Sequence, residues 1–90
     1  MYRYGPNRIY YQTSGFVPKT ISCFFYAPDG RSTLTYSFTE IEAGIYYADV
    51  VFSEYGDYLG VFYENGNRVT TRIFKVTKLF HTFYEGQPLY

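Results

Sequence analysis

The sequence predicts an all-β domain of the sandwich or barrel type, and three observations carry that expectation. No stretch sustains the three-and-four spacing of apolar residues that an amphipathic helix needs. The chain is rich in Tyr, Phe, Val, Ile and Thr, residues that suit a pleated, half-buried surface. Turn residues recur at intervals of roughly ten positions, as between the short strands of an all-β fold.

Arg8 to Gln12 reads as a short edge strand, closed by Thr13-Ser14-Gly15. Pro18 keeps the next stretch irregular or at an edge, because it has no N–H for a ladder. Thr20 to Ala27 is the second strand, with Ile21, Cys23 and Phe25 on one face and Ser22, Phe24 and Tyr26 on the other. Ala27-Pro28-Asp29-Gly30 is a turn: Pro28 presets its backbone angle, Asp29 can bond its own backbone, and Gly30 accepts a positive φ. Ser32 to Phe38 alternates cleanly, with Leu34, Tyr36 and Phe38 facing one way and Thr33, Thr35 and Ser37 the other.

Ile45 to Phe52 and Tyr58 to Glu64 follow as strands. Glu64-Asn65-Gly66-Asn67 is the strongest hairpin signal, since Asn-Gly tolerates the two positive φ angles of a tight primed turn. Arg68 to Val76 returns. Val69, Thr71 and Ile73 share one face, then Phe74 and Val76 take the other, and a β-bulge near Ile73 accounts for the slip.

One phrase occurs twice: Glu42-Ala43-Gly44-Ile45-Tyr46, then Glu54-Tyr55-Gly56-Asp57-Tyr58. In E-x-G-x-Y the Gly allows a tight bend before a strand. The Tyr then enters the strand with its ring on the sheet, and its hydroxyl can reach back to an upstream backbone group. Glu54, Gly56 and Tyr58 resemble the tyrosine corner that introduces strand F of an immunoglobulin-like sandwich. Ile21-Ser22-Cys23 resembles strand B of that fold, and Tyr58-Leu59-Gly60 its strand F. Gly60 stands where the second Cys would be, and no Trp is present. The resemblance is therefore to disulfide-free immunoglobulin-like or fibronectin III-like domains. It implies an antiparallel β-sandwich of about six or seven strands, to which the residues at the two ends add extended terminal arms.

A wider phrase, Y-x-P-D-G … E-x-G-x-Y … E-x-G-x-Y … E-N-G … K-V, runs from Tyr26 to Val76. It is similar to small immunoglobulin-like proteins of tailed bacteriophage virions and to β-sandwich modules of bacterial surface proteins. The phage resemblance implies a virion component: a head decoration, head–tail junction or tail accessory protein.

The 90 residues amount to one domain. A chain of this size buries roughly 60–65% of its unfolded surface, so its core is small. Thirteen Tyr and nine Phe exceed what such a core holds, so several rings must lie on the surface or against a partner. Net charge is zero, which gives no basic field to attract nucleic acid. Met1-Tyr2-Arg3-Tyr4-Gly5-Pro6 is followed by no apolar h-region, and no apolar run reaches the length of a membrane span. A soluble protein made in the cytoplasm, with no membrane partner, is the expectation. Cys23 is the single cysteine, so no internal disulfide forms and a reducing compartment or support from partner subunits is expected.

Chemistry is sparse. His81 is the single histidine, and Cys23 reads as a small buried hydrophobe between Ile21 and Phe25. Glu40, Glu42 and Asp57 could converge on a calcium ion only if folding brought them together, and no loop has dense alternating acids. No glycine-rich phosphate loop occurs. No catalytic residue, metal site or cofactor is expected.

Contact surface remains. Tyr offers large, rigid area with a polar tip. Tyr26, Tyr47 and Tyr63 are expected to point away from the core. Residues 1–7 and 78–90 read as aromatic arms flanking a sandwich over 8–77. Tyr2 and Tyr4 in the first arm, and Leu79, Phe80, Phe83, Tyr84, Leu89 and Tyr90 in the second, are the candidate subunit contacts. The expected partners are other structural proteins or copies of the chain itself. The alternative is a carbohydrate- or surface-binding module that stacks sugars on Tyr26, Tyr47 and Tyr63.

Overall fold

The computed structural model describes residues 1–15 and 17–77. Seven strands form two antiparallel sheets: β1 (Asn7–Gln12), β2 (Ile21–Tyr26), β3 (Thr33–Ser37), β4 (Thr39–Glu42), β5 (Ile45–Val50), β6 (Gly56–Glu64) and β7 (Asn67–Val76). One sheet has the order β1-β5-β4 and the other β3-β2-β6-β7. Among the described residues there is no helix, and Cys23 is a free, buried thiol.

The sheets pack face to face through alternate side chains. Ile9, Tyr11, Tyr46, Ala48 and Val50 come from one sheet; Ile21, Cys23, Phe25, Tyr58, Phe62 and Phe74 come from the other. The Tyr11 and Phe62 rings stack across the layers at 4.9 Å, and Phe25 meets Phe52 edge-on at 5.5 Å. Among the described residues eight aromatic rings are buried, while Tyr2, Tyr4, Tyr10, Phe24, Tyr26 and Tyr55 are exposed. The inward-facing tyrosines send their hydroxyls to polar groups at the rim. The Tyr58 hydroxyl accepts from Glu54 N–H, that of Tyr46 from Lys19 N–H, and that of Tyr36 from Val51 N–H. Tyr11 donates to Glu64. A ring that can do this buries its apolar body without stranding its oxygen.

The two E-x-G-x-Y phrases thus do different work. Gly44 and Gly56 both hold positive φ, at 84° and 119°, as a bend before a strand demands. Tyr58 closes its own local loop, whereas Tyr46 reaches a segment 27 residues away. The hairpin at Asn65-Gly66 has positive φ at both positions, the signature of the primed turn. Asp29 takes the N–H groups of Arg31 and Ser32, as the turn chemistry required.

Two expectations need correction, and the structure adds two further features. β2 was matched to strand B of an immunoglobulin domain, which lies in the sheet opposite strand F. Instead β2 is the hydrogen-bonded neighbour of β6, with Phe25 opposite Gly60. Three alternating apolar residues define a strand's buried face but not its neighbour. β4 was not foreseen: its four residues are all exposed, so no alternation marks it. The bulge lies at Val69, between the Phe62–Thr70 and Tyr63–Arg68 pairs, while Ile73 pairs regularly with Leu59. Val69, Thr71 and Ile73 simply form the outward face. β1 starts at Asn7, and the segment before it bridges to its own domain. Tyr2 bridges to Thr77 and Arg3 to Phe52, both in parallel.

Candidate contact surface

The side chains of the outer sheet face follow from pairing. Thr35, Phe24, Val61 and Thr71 lie in one row across β3-β2-β6-β7; Thr33, Tyr26, Leu59 and Ile73 form the next. Tyr63 adjoins them, its ring 5.5 Å from that of Phe24. Phe24, Tyr26, Leu59 and Ile73 are 37–60% exposed. Val61 is buried although it faces away from the core, flanked by Phe24 and Thr71. No charged side chain stands in either row. Asp57 and Lys75, 3.8 Å apart and both exposed, bound one end of the patch.

Tyr26, Tyr47 and Tyr63 all face away from the core, yet they do not share a surface. Tyr26 and Tyr63 lie on the four-stranded sheet, whereas Tyr47 is on β5, in the three-stranded sheet behind it. Tyr47 pairs with Tyr10, and the Arg8 guanidinium covers its ring at 4.2 Å while forming a two-pronged pair with Asp49. The earlier grouping failed because outward orientation can be read within one strand, but membership of a sheet cannot.

The N-terminal segment is held by Asn7. Its buried amide accepts from Tyr2 N–H and donates to the carbonyls of Tyr2, Gly5 and Val50. Arg3 lies against the rings of Tyr4 and Tyr55, at 4.7 and 4.2 Å. The rings of Tyr2 and Tyr4 nevertheless remain exposed. Leu79, Phe80, Phe83, Tyr84, Leu89, Tyr90 and His81 lie outside the described residues.

A polar cluster pins the sheets at the opposite end. Glu64 accepts from the Tyr11 hydroxyl at 2.6 Å and from the Lys19 ammonium at 3.0 Å. The Tyr11 bond, then that from Lys19, holds the Glu64 carboxyl below its ordinary range. Burial, reinforced by Glu64, raises the Tyr11 hydroxyl. Burial also pushes the Cys23 thiol up to about 12, which leaves it protonated and unreactive at neutral pH.

Glu40 and Glu42 flank the bulge in β4, while Asp57 sits in the other sheet beside Lys75, so these acids do not converge. Among the described residues no three His, Cys, Asp or Glu side chains come together as metal ligands, and no ligand-sized pocket opens. Comparison with protein-family models, curated proteins and solved structures gave no significant match.

Sequence reading did not single out Phe24, Leu59, Val61 and Ile73 as one surface. The signal was present in part, since Phe24 fell on the face opposite Ile21, Cys23 and Phe25, and Ile73 on the face opposite Phe74 and Val76. Joining them needs the β2-β6-β7 order, which local pattern does not contain.

Proposed function

We propose that the chain is a non-enzymatic structural protein: an immunoglobulin-like sandwich that joins a larger assembly through its outer surface. The outer face of β3-β2-β6-β7 carries the reading. A solvated sheet face is ordinarily polar, and a contiguous apolar patch marks an interaction site. Here the two central rows hold Phe24, Tyr26, Leu59, Val61 and Ile73 with only Thr beside them.

The immunoglobulin-like part of the proposal is supported by strand order. Labelled B, C, C′, D, E, F and G in chain order, β1 to β7 give sheets B-E-D and C′-C-F-G. That is the variable-type arrangement without its strands A and C″. The Tyr58–Glu54 bond falls at the start of the strand so labelled F, where a tyrosine corner belongs. With the phrase from Tyr26 to Val76, these features favour the virion of a tailed phage as the setting, in a decoration, junction or tail accessory role. Stacking of sugars is the weaker reading, because Tyr47 lies behind Tyr26 and Tyr63 and its ring is covered by Arg8.

The test introduces a charge on each face. Ile73→Asp changes an exposed side chain on the patch, and Tyr10→Asp changes one on the opposite face. Both variants are expected to fold. Ile73→Asp is expected to lose incorporation into the native assembly while Tyr10→Asp retains it, as measured by the stoichiometry of the purified particle. Normal incorporation of Ile73→Asp would overturn the proposal.

A further inference from the structure

Among the described residues the two sheets have four edges, and three of them are guarded. β7 carries Arg68, Arg72 and Lys75 and a bulge at Val69. β4 is four residues long, carries Glu40 and Glu42, and bulges at Ile41. β1 carries Arg8, and the Arg72 side chain caps its Tyr10 carbonyl at 3.0 Å. Charge, bulges, shortness and capping are the devices that keep edge strands from pairing with other chains. β3 has none of the first two. Its five residues, Thr-Leu-Thr-Tyr-Ser, contain no charge and no proline, and its register with β2 is unbroken.

The free groups on β3 can be assigned. Ala27 N–H bonds the Ser32 carbonyl and Phe38 N–H bonds the Ile21 carbonyl, both at 2.9 Å. In an antiparallel ladder the bonded pairs recur at every second residue. Ser32, Leu34, Tyr36 and Phe38 therefore point their backbone groups at β2, and Thr33, Thr35 and Ser37 point theirs outward. Those three N–H and three C=O groups line the edge and have no backbone partner among the described residues.

We propose that β3 pairs with β3 of a second copy, antiparallel about a two-fold axis at Thr35, to make one continuous eight-stranded sheet. The strand is self-complementary in that register. Thr35 meets Thr35 of the partner copy, Thr33 meets Ser37, and Leu34 meets Tyr36. Hydroxyl residues thus face each other on the outer side and apolar residues on the core side, both favourable cross-strand pairs. All the outward backbone groups find partners. Charges at the ends also match: Arg31 precedes each β3, and the two-fold brings it towards the Thr39–Glu40 end of the other copy. An isologous contact of this kind closes at two copies. It joins the apolar rows of both molecules through Thr35, which lies in line with Phe24. The inference uses the β3 edge alone and stands apart from whatever covers the outer face.

The test is the solution mass of the full chain by light scattering across a dilution series, with Thr35→Pro and Ile73→Asp beside it. Proline at position 35 removes the central outward N–H and spares the bonds to β2, a placement that edge strands tolerate. The wild-type chain is expected to reach twice the monomer mass as concentration rises, Ile73→Asp to do the same, and Thr35→Pro to stay monomeric throughout, with the melting temperature of the dilute, monomeric wild type. Hydrogen exchange on the wild type provides a readout independent of any variant: amides of Thr33, Thr35 and Ser37 are expected to gain protection with concentration. A wild-type chain that is monomeric throughout, or those three amides exchanging freely at every concentration, overturns the proposal. Association lost in Ile73→Asp and kept in Thr35→Pro also overturns it, and would leave the outer-face reading standing.

Discussion

The hydroxyl of Tyr58 accepts a 3.2 Å hydrogen bond from the backbone N–H of Glu54, four residues earlier in the chain. The Tyr58 ring is fully buried and packs 4.5 Å from Phe52, so this bond fixes the β5–β6 loop to the core. Tyr58→Phe keeps the ring and strands the Glu54 N–H. A loss of about 1 kcal/mol is expected, measured by chemical denaturation at unchanged slope. An unaltered midpoint would mean that the corner contributes nothing.

Gly60 is required by packing rather than by backbone conformation. A Cβ there would lie 2.7 Å from Phe74 Cε2 and 3.2 Å from Cys23 Sγ. Gly60→Ala is expected to cost roughly 1–3 kcal/mol, the usual range for overpacking a core. In a Phe74→Leu background the same change should cost less, since the closest atom is gone. Equal costs in both backgrounds would contradict the packing account.

Asn7 satisfies both backbone groups of Tyr2, so the N-terminal segment should be released when the amide is lost. Asn7→Ala is expected to destabilise the fold by about 1–3 kcal/mol, the cost of leaving buried polar groups unpaired. Hydrogen exchange at Tyr4 and Thr77, whose N–H groups bond Phe52 and Met1, should accelerate together. Protection at both sites equal to wild type would show that the bridges hold without Asn7.

Glu64 and Tyr11 make stability depend on pH at both ends of the range. The Glu64 carboxyl is held below its ordinary value of 4.5, so its contribution is full above that value and is lost as pH falls through the depressed folded value. Asp29 and Asp49, also depressed, act in the same direction. The Tyr11 hydroxyl is raised above its ordinary value of 10.0, so its contribution is full below that value and fades as pH climbs towards the folded one. A stability plateau between these limits is expected. Glu64→Gln should flatten the acid limb, as followed by denaturation midpoints from pH 7 to roughly pH 2. An acid limb identical to wild type would remove Glu64 from the account.

Much of this fold was legible locally. Strand faces at Ile21-Cys23-Phe25 and Leu34-Tyr36-Phe38 follow from alternation, and the turns at Asp29 and Asn65-Gly66 from backbone chemistry. What was not legible depends on distant partners. Thr39–Glu42 is a strand because β5 pairs with it, not because its own residues alternate in burial. The pairing of β2 with β6 is set by the whole core, and with it the placement of Phe24 beside Val61. Asn7 looks like any loop-flanking asparagine until the chain before it folds back.

The central claim is that the Phe24–Tyr26–Leu59–Ile73 face meets another protein. A photo-reactive benzophenone side chain at position 73, with position 10 as the opposite-face control, tests it in the native assembly. Crosslinking at position 73 to a defined protein subunit, with little at position 10, is the predicted result. No crosslink at position 73 in an assembly that contains the chain would contradict the claim.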